Sequence, residues 1–394
     1  MTDKQTLLIG IDGGATKVSA WEILYDDRHN TFSLGKASAT KSYREIEGYI
    51  PDFKPVDLKI QLGERETGNV QPTPEEKQQA AVYVEACALA IRSLVEKTGC
   101  RNILIGIGMP GLKTSDKRGI EVVANGPRML HYSNQLEARL NDFQINLLTP
   151  VNHLGSDADY CGIGENYSED GLFRTVNNAY YLGGGTGVAD AMKLDGELLA
   201  FDNSKSWITK TWEMKSKEGL PLEQVTSVSG IQRTYAEFAN VSVEELNTKS
   251  IFPLQIAELA KNGNTAAQKT FELVNCNLAR LLYERIVTLY LGWSGLFEFV
   301  NPNRLKLNSD HEHRGKLFDI IIIGQRLGDL FDDPVGSEIV KLPILNQLND
   351  LIISSDLLDA KAKTHYRNIE SIIKTSKLRE APVLGAGIDA FLSK

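Results

Sequence analysis

Residues 7–23 of this chain read LLIGIDGGATKVSAWEI. An apolar run leads into a Gly-Gly turn and an alternating apolar run leads out of it, which predicts a β-hairpin. The turn carries a carboxylate on Asp12, a hydroxyl on Thr16 and an ammonium on Lys17. Backbone N–H groups of a glycine turn can approach phosphate oxygens, and a carboxylate can hold hydrated Mg²⁺. An ordinary glycine-rich hairpin explains the turn equally well, so the turn alone leaves both interpretations open.

Length and composition limit the class of protein. At 394 residues the chain exceeds the usual limit for one hydrophobic core, which predicts two domains. The hydrophobic share of 42% and the charged share of 24% are typical of globular proteins. A net charge of -8 without a basic face argues against a nucleic-acid partner. The sequence shows no signal-peptide pattern and no apolar run approaching the roughly 20 residues that cross a bilayer, so we expect no membrane partner.

Cysteine and histidine usage shows no metal-site spacing. The cysteines are Cys87, Cys100, Cys161 and Cys276. They lie far apart and form no C-x-x-C pair, which predicts reduced thiols in a cytoplasmic protein. The close histidine pair, His311 and His313, lies in a polar stretch, where a solvated loop is favoured over a metal site.

A second unit of strand, glycine turn and strand repeats the pattern of the first. Residues 178–182 predict a strand that ends at Gly183-Gly184-Gly185-Thr186-Gly187, and residues 188–194 predict the return strand. A duplicated phosphate-facing hairpin is much more specific than either copy. Each copy would contact a phosphate chain from one side of a cleft.

Helices and strands alternate between the two hairpins. A capping box of Thr73 and Glu76 begins a helix whose apolar pattern continues to Gly99. A buried strand over 102–111 and a shorter one near 145–151 follow. This order of strands and helices predicts an α/β fold.

The second half of the chain is mainly helical. An amphipathic pattern predicts a long helix over 265–291, and a buried strand over 319–323 ends at Gly324-Gln325. Small residues over 381–391 predict a final helix that packs closely on another element.

These pieces together resemble the ROK family (repressors, open reading frames and sugar kinases) of the actin-like ATPase and sugar-kinase superfamily. Asp12-Gly13-Gly14-Ala15-Thr16-Lys17 is similar to the first phosphate motif of the family, and Gly183 to Gly187 is similar to the second. Gly106-Ile107-Gly108-Met109-Pro110-Gly111 resembles its glycine-proline-glycine strand end. Gly324-Gln325 stands where the adenosine motif of the family would be.

Three further segments resemble the catalytic and sugar-binding motifs of the family. Ser156-Asp157-Ala158-Asp159 is similar to the stretch with the catalytic Asp, and the spacing to Glu165 places Asp157 at the catalytic position. Ala124-Asn125-Gly126-Pro127 resembles the sugar-contacting Asn segment. Residues 219–227 resemble the segment in which a Glu contacts the sugar, which here is Glu223.

The resemblance implies a fold and an activity. The fold is α/β, with two actin-like (ribonuclease H-like) domains that flank a substrate cleft. The first domain would hold residues 1–124 and a C-terminal helix of about 380–394, and the second would hold residues 125–379 with helical insertions. The implied activity is ATP-dependent phosphorylation of a hydroxyl on a hexose or N-acetylhexosamine, with ATP and Mg²⁺ as cofactors. The implied partner is a small-molecule sugar, and a homodimer is the habit of the family.

The resemblance also implies a role for each site residue. Asp157 is the general base, and the alternative is a helix N-cap. Asp12 would reach Mg²⁺ through water, and the alternative is a plain turn residue. The other phosphate and nucleotide contacts are Gly13, Gly14, Thr16, Lys17, Gly184, Gly185, Thr186, Gly324 and Gln325. The sugar contacts are Gly111, Asn125, Asp157, Glu213 and Glu223, of which Glu213 is the one for which a structural role is favoured.

The sequence departs from the family at two motifs. No Cys or His lies between Ser168 and Asn275, so the zinc-binding cluster of the family is missing and we expect no structural zinc. The Glu-x-Gly-His sugar motif is reduced to Trp212-Glu213-Met214, without the His. Polar stretches near 26–71 and 301–316 look like insertions in a chain that is longer than a typical member.

Three alternatives stay open. The missing motifs also fit a catalytically weak relic that binds a sugar or a nucleotide. A sugar-sensing regulator is the second alternative, but family repressors place a helix-turn-helix before the kinase-like part, and the dozen residues before Asp12 leave no room for one. The third is the related acetylglucosamine-kinase branch of the superfamily, which shares the two hairpins without zinc.

Overall fold

The computed structural model describes residues 6–394, which form two compact units. The first unit runs to Gly171 and includes Glu380–Lys394, and the second is Leu172–Arg379. The C-terminal segment thus belongs with the first unit. The boundary between the units lies later in the chain than the expected one after residue 124.

The first unit is built on one mixed sheet. Its elements are β1 (Leu7–Gly13), β2 (Lys17–Asp26), β3 (Thr31–Ser42), α1 (Leu58–Glu66), α2 (Pro74–Thr98), β4 (Asn102–Gly108), β5 (Leu112–Lys113), β6 (Ile120–Val122), α3 (Tyr132–Asp142), β7 (Asn146–Leu147), β8 (Leu154–Gly155), α4 (Asp157–Tyr167) and the C-terminal helix (Ala381–Leu392). The strand order is β3-β2-β1-β4-β7, with β8 also paired to β4. β2 is antiparallel to both β1 and β3, and β4 is parallel to β1.

The unit boundary lies after α4 because two short strands complete the first sheet and α4 packs against the C-terminal helix. Both β7 and β8 pair in parallel with β4. A strand pairing of this kind is set by distant residues and has no local signature, so the domain boundary could not be placed from the sequence pattern.

The helix α2 begins at the predicted capping box and ends at the predicted glycine. Thr73 Oγ1 accepts a hydrogen bond from the Glu76 N–H at 3.1 Å, and Glu76 Oε2 accepts one from the Thr73 N–H at 2.8 Å. Gly99 ends the helix in the left-handed conformation with φ of 70°. The capping box and the glycine C-cap are confirmed, since each satisfies backbone groups that the helix leaves open.

The C-terminal helix rests directly on the strands β1 and β4. A Cβ added at Gly10 would lie 1.8 Å from Val383 O, and one added at Gly106 would lie 1.8 Å from Ala386 O. Only glycine leaves room for such a contact between backbones. The predicted close packing of a small-residue helix is therefore confirmed.

The second unit repeats the hairpin-plus-parallel-strand arrangement. Its elements are β9 (Ala179–Gly184), β10 (Val188–Leu194), β11 (Glu197–Leu198), β12 (Met214–Lys215), α5 (Leu222–Thr226), α6 (Val228–Ala239), α7 (Val243–Thr248), α8 (Pro253–Lys261), α9 (Thr265–Leu291), β13 (Glu298–Phe299), β14 (Ile320–Gly324), α10 (Gln325–Asp332), α11 (Pro334–Gly336), α12 (Leu342–Ile353), α13 (Ala360–His365), α14 (Ile369–Ile372) and β15 (Ile373–Thr375). The strand order is β11-β10-β9-β14-β15, and β14 runs parallel to β9.

The two glycine hairpins are equivalent in their sheets. β1 and β9 each pair with an antiparallel partner that follows in sequence, and each also pairs with a later parallel strand. The duplicated hairpin and the α/β class with two actin-like domains are therefore confirmed. No helix among the described residues is long and apolar enough to cross a membrane.

Candidate active site

The first glycine turn lies where β1 and β2 meet. Asp12 and Gly13 end β1, and Lys17 begins β2. A Cβ at Gly13 would lie 2.8 Å from Met109 Cε, so a larger residue there would require the Met109 side chain to move. The Thr16 and Lys17 side chains are exposed. The structure thus contains the predicted turn, with its hydroxyl and its ammonium accessible.

Strand register brings Asp12 and the helix that carries Asp157 to one edge of the first sheet. Asp12 pairs with Gly108 of β4, and Gly108 pairs with Gly155 of β8. These three strands are parallel, so their carboxyl ends coincide, and α4 begins at Asp157 just after β8. The carboxyl ends of parallel strands are where α/β proteins bind ligands. The fold therefore brings together the two carboxylates that the sequence assigns to the metal and to the base.

The Asp12 carboxyl lies in a negative environment. Burial, together with the carboxylates of Asp157 and Glu380, raises its pKa from 3.8 to about 7, and the Lys17 ammonium opposes this change. Glu380 lies immediately before the C-terminal helix. No local sequence signal marks Glu380, because it meets Asp12 only through the return of that helix to the first sheet.

A hydrated Mg²⁺ ion fits this environment better than a directly coordinated one. Among residues 6–394, no group of three His, Cys, Asp or Glu side chains is close enough to ligate one metal ion. Mg²⁺ keeps several waters and is commonly bound through one or two carboxylates and the substrate phosphates. Asp12 supplies such a carboxylate, and the negative charge of Asp157 and Glu380 adds to the attraction for a cation.

Asp157 occupies the first position of α4. The N-cap position belongs to Ser156. One carboxylate oxygen of Asp157 accepts a hydrogen bond from the Ala158 N–H at 3.0 Å, and the residue is exposed. The helix thus holds an accessible carboxylate at the edge of the sheet.

Buried side chains form hydrogen bonds on both sides of the loop that carries Asn125. Arg128, 1% exposed, donates from Nε and Nη2 to the two carboxylate oxygens of Glu76 at 2.8 and 2.6 Å. Gln61 accepts a hydrogen bond from Val123 N at 2.8 Å and donates one to Val123 O at 3.1 Å. Asn125 lies exposed between these anchors. The loop is therefore fixed while the Asn125 amide stays accessible.

Gly111 lies beside the strand that leads into this loop. Its φ of 97° is left-handed, and a Cβ there would lie 2.4 Å from Val122 O at the end of β6. Gln61 and Arg65 come from α1, within the expected insertion near 26–71, and Arg65 Nε pairs with Glu121 at 2.9 Å. The stretch 26–71 contributes β3 to the sheet and a helix that supports the Asn125 loop.

The second glycine turn lies beside the candidate adenosine motif. Gly183 pairs with Gly324 across β9 and β14. A Cβ added at Gly185 would lie 3.2 Å from Gln325 Oε1. Gln325 itself has a φ of 56°, which is uncommon for a residue with a side chain. The fold therefore brings Gly184, Gly185, Thr186, Gly324 and Gln325 together.

Comparison with known proteins identifies the fold. No family model and no curated protein matches this sequence. A ROK-family glucokinase from Streptomyces griseus, solved with glucose and AMPPNP, is 16% identical with a TM-score of 0.58, over 98% of this chain and 99% of that chain. A ROK hexokinase from Thermus thermophilus is 15% identical with a TM-score of 0.55, over 98% of each chain. This chain has the ROK sugar-kinase fold.

A regulator shares this ROK fold. A ROK-family transcriptional regulator, homologous to the E. coli MLC protein, is 11% identical with a TM-score of 0.52, over 98% of this chain and 78% of that chain. The fold alone therefore does not separate a kinase from a transcriptional regulator, and the distinction depends on the site residues.

The two predicted sugar-binding glutamates of the second unit, Glu213 and Glu223, have different surroundings. A Cβ added at Gly187 would lie 3.1 Å from Glu223 Oε1, so the Glu223 carboxylate lies beside the second glycine turn. The Glu213 carboxylate instead accepts hydrogen bonds from Thr209 Oγ1 at 2.6 Å and from Lys210 N at 3.0 Å, and forms an ion pair with Arg304. These contacts favour the structural role for Glu213.

The two histidines of the stretch 301–316 contact other residues of the second unit. His311 stacks on Trp207 with ring centroids 4.0 Å apart, and burial lowers its pKa. His313, 14% exposed, is 3.1 Å from an Asp195 carboxylate oxygen. The polar stretch forms a loop, and most of its residues are exposed, but an aromatic ring and a carboxylate from distant parts of the sequence partly cover the two histidine rings.

Proposed function

We propose that this chain is an ATP-dependent kinase that phosphorylates a hydroxyl of a monosaccharide, a hexose or an N-acetylhexosamine. The observation that carries the proposal is the alignment of Asp12 and Asp157 at the carboxyl edge of the first sheet, beside the first glycine turn. The raised pKa of Asp12 supports the proposal, because a bound cation would offset the burial and the neighbouring negative charges that disfavour its ionised form. The ROK fold, which solved glucokinases share, is consistent with it.

In the proposed reaction Asp157 is the general base. It accepts the proton of the sugar hydroxyl as that oxygen attacks the γ-phosphorus of ATP. The bond between the γ-phosphorus and the β–γ bridging oxygen breaks, and ADP leaves with that electron pair. Positioning and charge stabilisation supply most of the rate in phosphoryl transfer. Asp12 would hold Mg²⁺ through water, and the bound ion would supply positive charge against the phosphate oxygens.

The nucleotide contacts follow from the two glycine turns. Gly13, Gly14, Thr16 and Lys17 offer backbone N–H groups, a hydroxyl and an ammonium to the β- and γ-phosphates. Gly184, Gly185 and Thr186 do so from the second turn, and Gly324 and Gln325 border the adenine or the ribose. These assignments group residues that the fold brings together within each unit.

The acceptor contacts are assigned to Gly111, Asn125 and Glu223. Amide and carboxylate groups match the donors and acceptors of sugar hydroxyls. Asn125 is exposed in a fixed loop, and the Glu223 carboxylate lies beside the second glycine turn. Glu213 is left out of the acceptor site, because its carboxylate is used by Thr209, Lys210 and Arg304.

The test is ATP consumption over a panel of monosaccharides with Mg²⁺. The Asp157→Asn variant should lose turnover by about a hundredfold or more, since it removes the base. Asp159→Asn is the matched control, because it makes the same charge change on the same helical turn, and it should stay near wild type. Turnover that survives Asp157→Asn would remove this residue from the role.

A sugar-binding protein without kinase activity is the second candidate. The occupied Glu213 carboxylate favours it, since one predicted sugar contact is unavailable. Sugar binding by calorimetry with no ATP turnover on any sugar of the panel would support this candidate over the kinase. A homodimer, which the resemblance implies, is checked by light scattering on the same samples.

A further inference from the structure

Two stacked tyrosines lie against the first glycine turn. The Tyr43 and Tyr83 rings are 3.7 Å apart between centroids and inclined by only 16°. Tyr43 begins a short helical turn after β3, and Tyr83 lies on α2, so two separate elements meet here. Tyr43 is 1% exposed and Tyr83 is 6% exposed. The pair is therefore a rigid, buried support.

The tyrosine pair binds three successive carbonyl oxygens of the turn. Tyr43 Oη donates to Gly14 O at 3.0 Å, and Tyr83 Oη donates to Ala15 O at 3.0 Å. The backbone N–H of Tyr43 donates to Thr16 O at 3.2 Å. The carbonyl side of the whole turn is thus fixed by two residues that sequence patterns did not single out.

Fixing the carbonyls also sets the direction of the N–H groups. In a trans peptide the C=O of one residue and the N–H of the next point in opposite directions. The N–H groups of Ala15 and Thr16 therefore point away from the tyrosines. Neither has an acceptor among residues 6–394. Successive N–H groups on one side of a turn form a concave site for an anion.

Burial keeps both phenols in the donor form. It raises the pKa of Tyr43 and of Tyr83 well above the ordinary value of 10, and Tyr83 adds to the effect on Tyr43. Both hydroxyls are protonated at any pH at which an enzyme works, so both hydrogen bonds to the turn persist.

We propose that Tyr43 and Tyr83 are positioning residues for the phosphate of the nucleotide. They hold the carbonyls of the turn on one side so that the Ala15 and Thr16 N–H groups face the phosphate oxygens. The inference rests on the proposed function and deepens it. If the two tyrosines only filled the core, their hydroxyls would affect stability and would not affect nucleotide affinity.

The test compares Tyr43→Phe, Tyr83→Phe and the double variant with wild type. Phenylalanine keeps the stacked rings and removes only the hydroxyls. Each single change should raise KM for ATP and Kd for MgADP by about threefold to tenfold, the effect of one hydrogen bond, and leave KM for the sugar unchanged. The double variant should raise them further. In hydrogen-exchange mass spectrometry, MgADP should protect the peptide 10–18 less in the variants than in wild type.

The matched control is Tyr366→Phe. Tyr366 is also buried and its Oη also bonds a backbone group, the Phe318 N–H at 2.9 Å, but it lies in the second unit. It should lower thermal stability and leave both KM values unchanged. If wild type binds MgADP and the two single variants bind it equally well, the positioning role is overturned and the proposed function stands. If wild type neither binds MgADP nor consumes ATP, the proposed function fails and the positioning role fails with it.

Discussion

Replacing Asp12 by Asn should stabilise the first unit at neutral pH and change its stability little at pH 4. The pKa of Asp12 is about 7 in the folded protein, against 3.8 in an ordinary environment. The unfolded chain therefore releases this proton near pH 4, whereas the folded chain keeps it until about pH 7. Because the unfolded chain binds fewer protons in this interval, the free energy of unfolding falls as the pH rises from 4 to 7. An asparagine, which does not ionise, removes this fall.

The size of the effect follows from the raised pKa. Each pKa unit is worth about 1.4 kcal/mol, so the rise from 3.8 to about 7 corresponds to ~4 kcal/mol. The gain in free energy of unfolding for Asp12→Asn should grow from near zero at pH 4 toward that value at about pH 8. Asp116 gives a control of opposite sign. Hydrogen bonds from Thr114 and Arg118 lower its pKa, so Asp116→Asn should reduce stability above pH 4.

Urea unfolding at a series of pH values, in the presence of EDTA, measures the difference in free energy of unfolding between wild type and Asp12→Asn. Hydrogen-exchange mass spectrometry of peptides from β1 and β4 reports the first unit separately from the second, which matters because two units need not unfold together. Parallel stability curves for wild type and Asp12→Asn between pH 4 and pH 8 would refute the reasoning, because they would mean that Asp12 ionises as easily in the folded protein as in the unfolded chain.

Two further substitutions test the packing around the site. Gly106→Ala places a Cβ 1.8 Å from Ala386 O and should destabilise the first unit by at least about 2 kcal/mol in urea unfolding. The control Gly63→Ala, which has open space around it in α1, should be neutral or stabilising by ~0.5 kcal/mol. Equal stability of the two variants would contradict the close contact between the backbones. Gln61→Ala leaves the Val123 N–H and C=O without their partner and should raise KM for the sugar while KM for ATP stays constant. Faster hydrogen exchange of peptide 120–130 should accompany it, and unchanged exchange there would argue against the support by α1.

The features that the sequence predicts well are local. The capping box of Thr73 and Glu76, the long helix Thr265–Leu291 and both glycine hairpins form where predicted. Each depends on backbone geometry and on the spacing of apolar residues within a short segment, so the neighbouring residues are enough to predict it. The family resemblance selects Asp157 by its position in a motif, and its role as general base stays a prediction.

The features that were missed or misplaced depend on distant contacts. The unit boundary follows from the pairing of β7 and β8 with β4 and from the packing of α4 on the C-terminal helix. Part of the negative charge around Asp12 comes from Glu380 at the other end of the chain. The partial cover of His311 by Trp207 and of His313 by Asp195 is likewise a contact between residues distant in sequence.

The sequence by itself determined that two glycine hairpins exist and which residues form them. Only the tertiary structure decided what surrounds them: which carboxylates raise the pKa of Asp12, and which tyrosines face the carbonyls of the first turn. The physical reason is one of range. Backbone propensities act over a few residues, whereas burial, charge and side-chain hydrogen bonds act between any groups that folding brings into contact, and these set how Asp12-Gly13-Gly14-Ala15-Thr16-Lys17 can bind a phosphate.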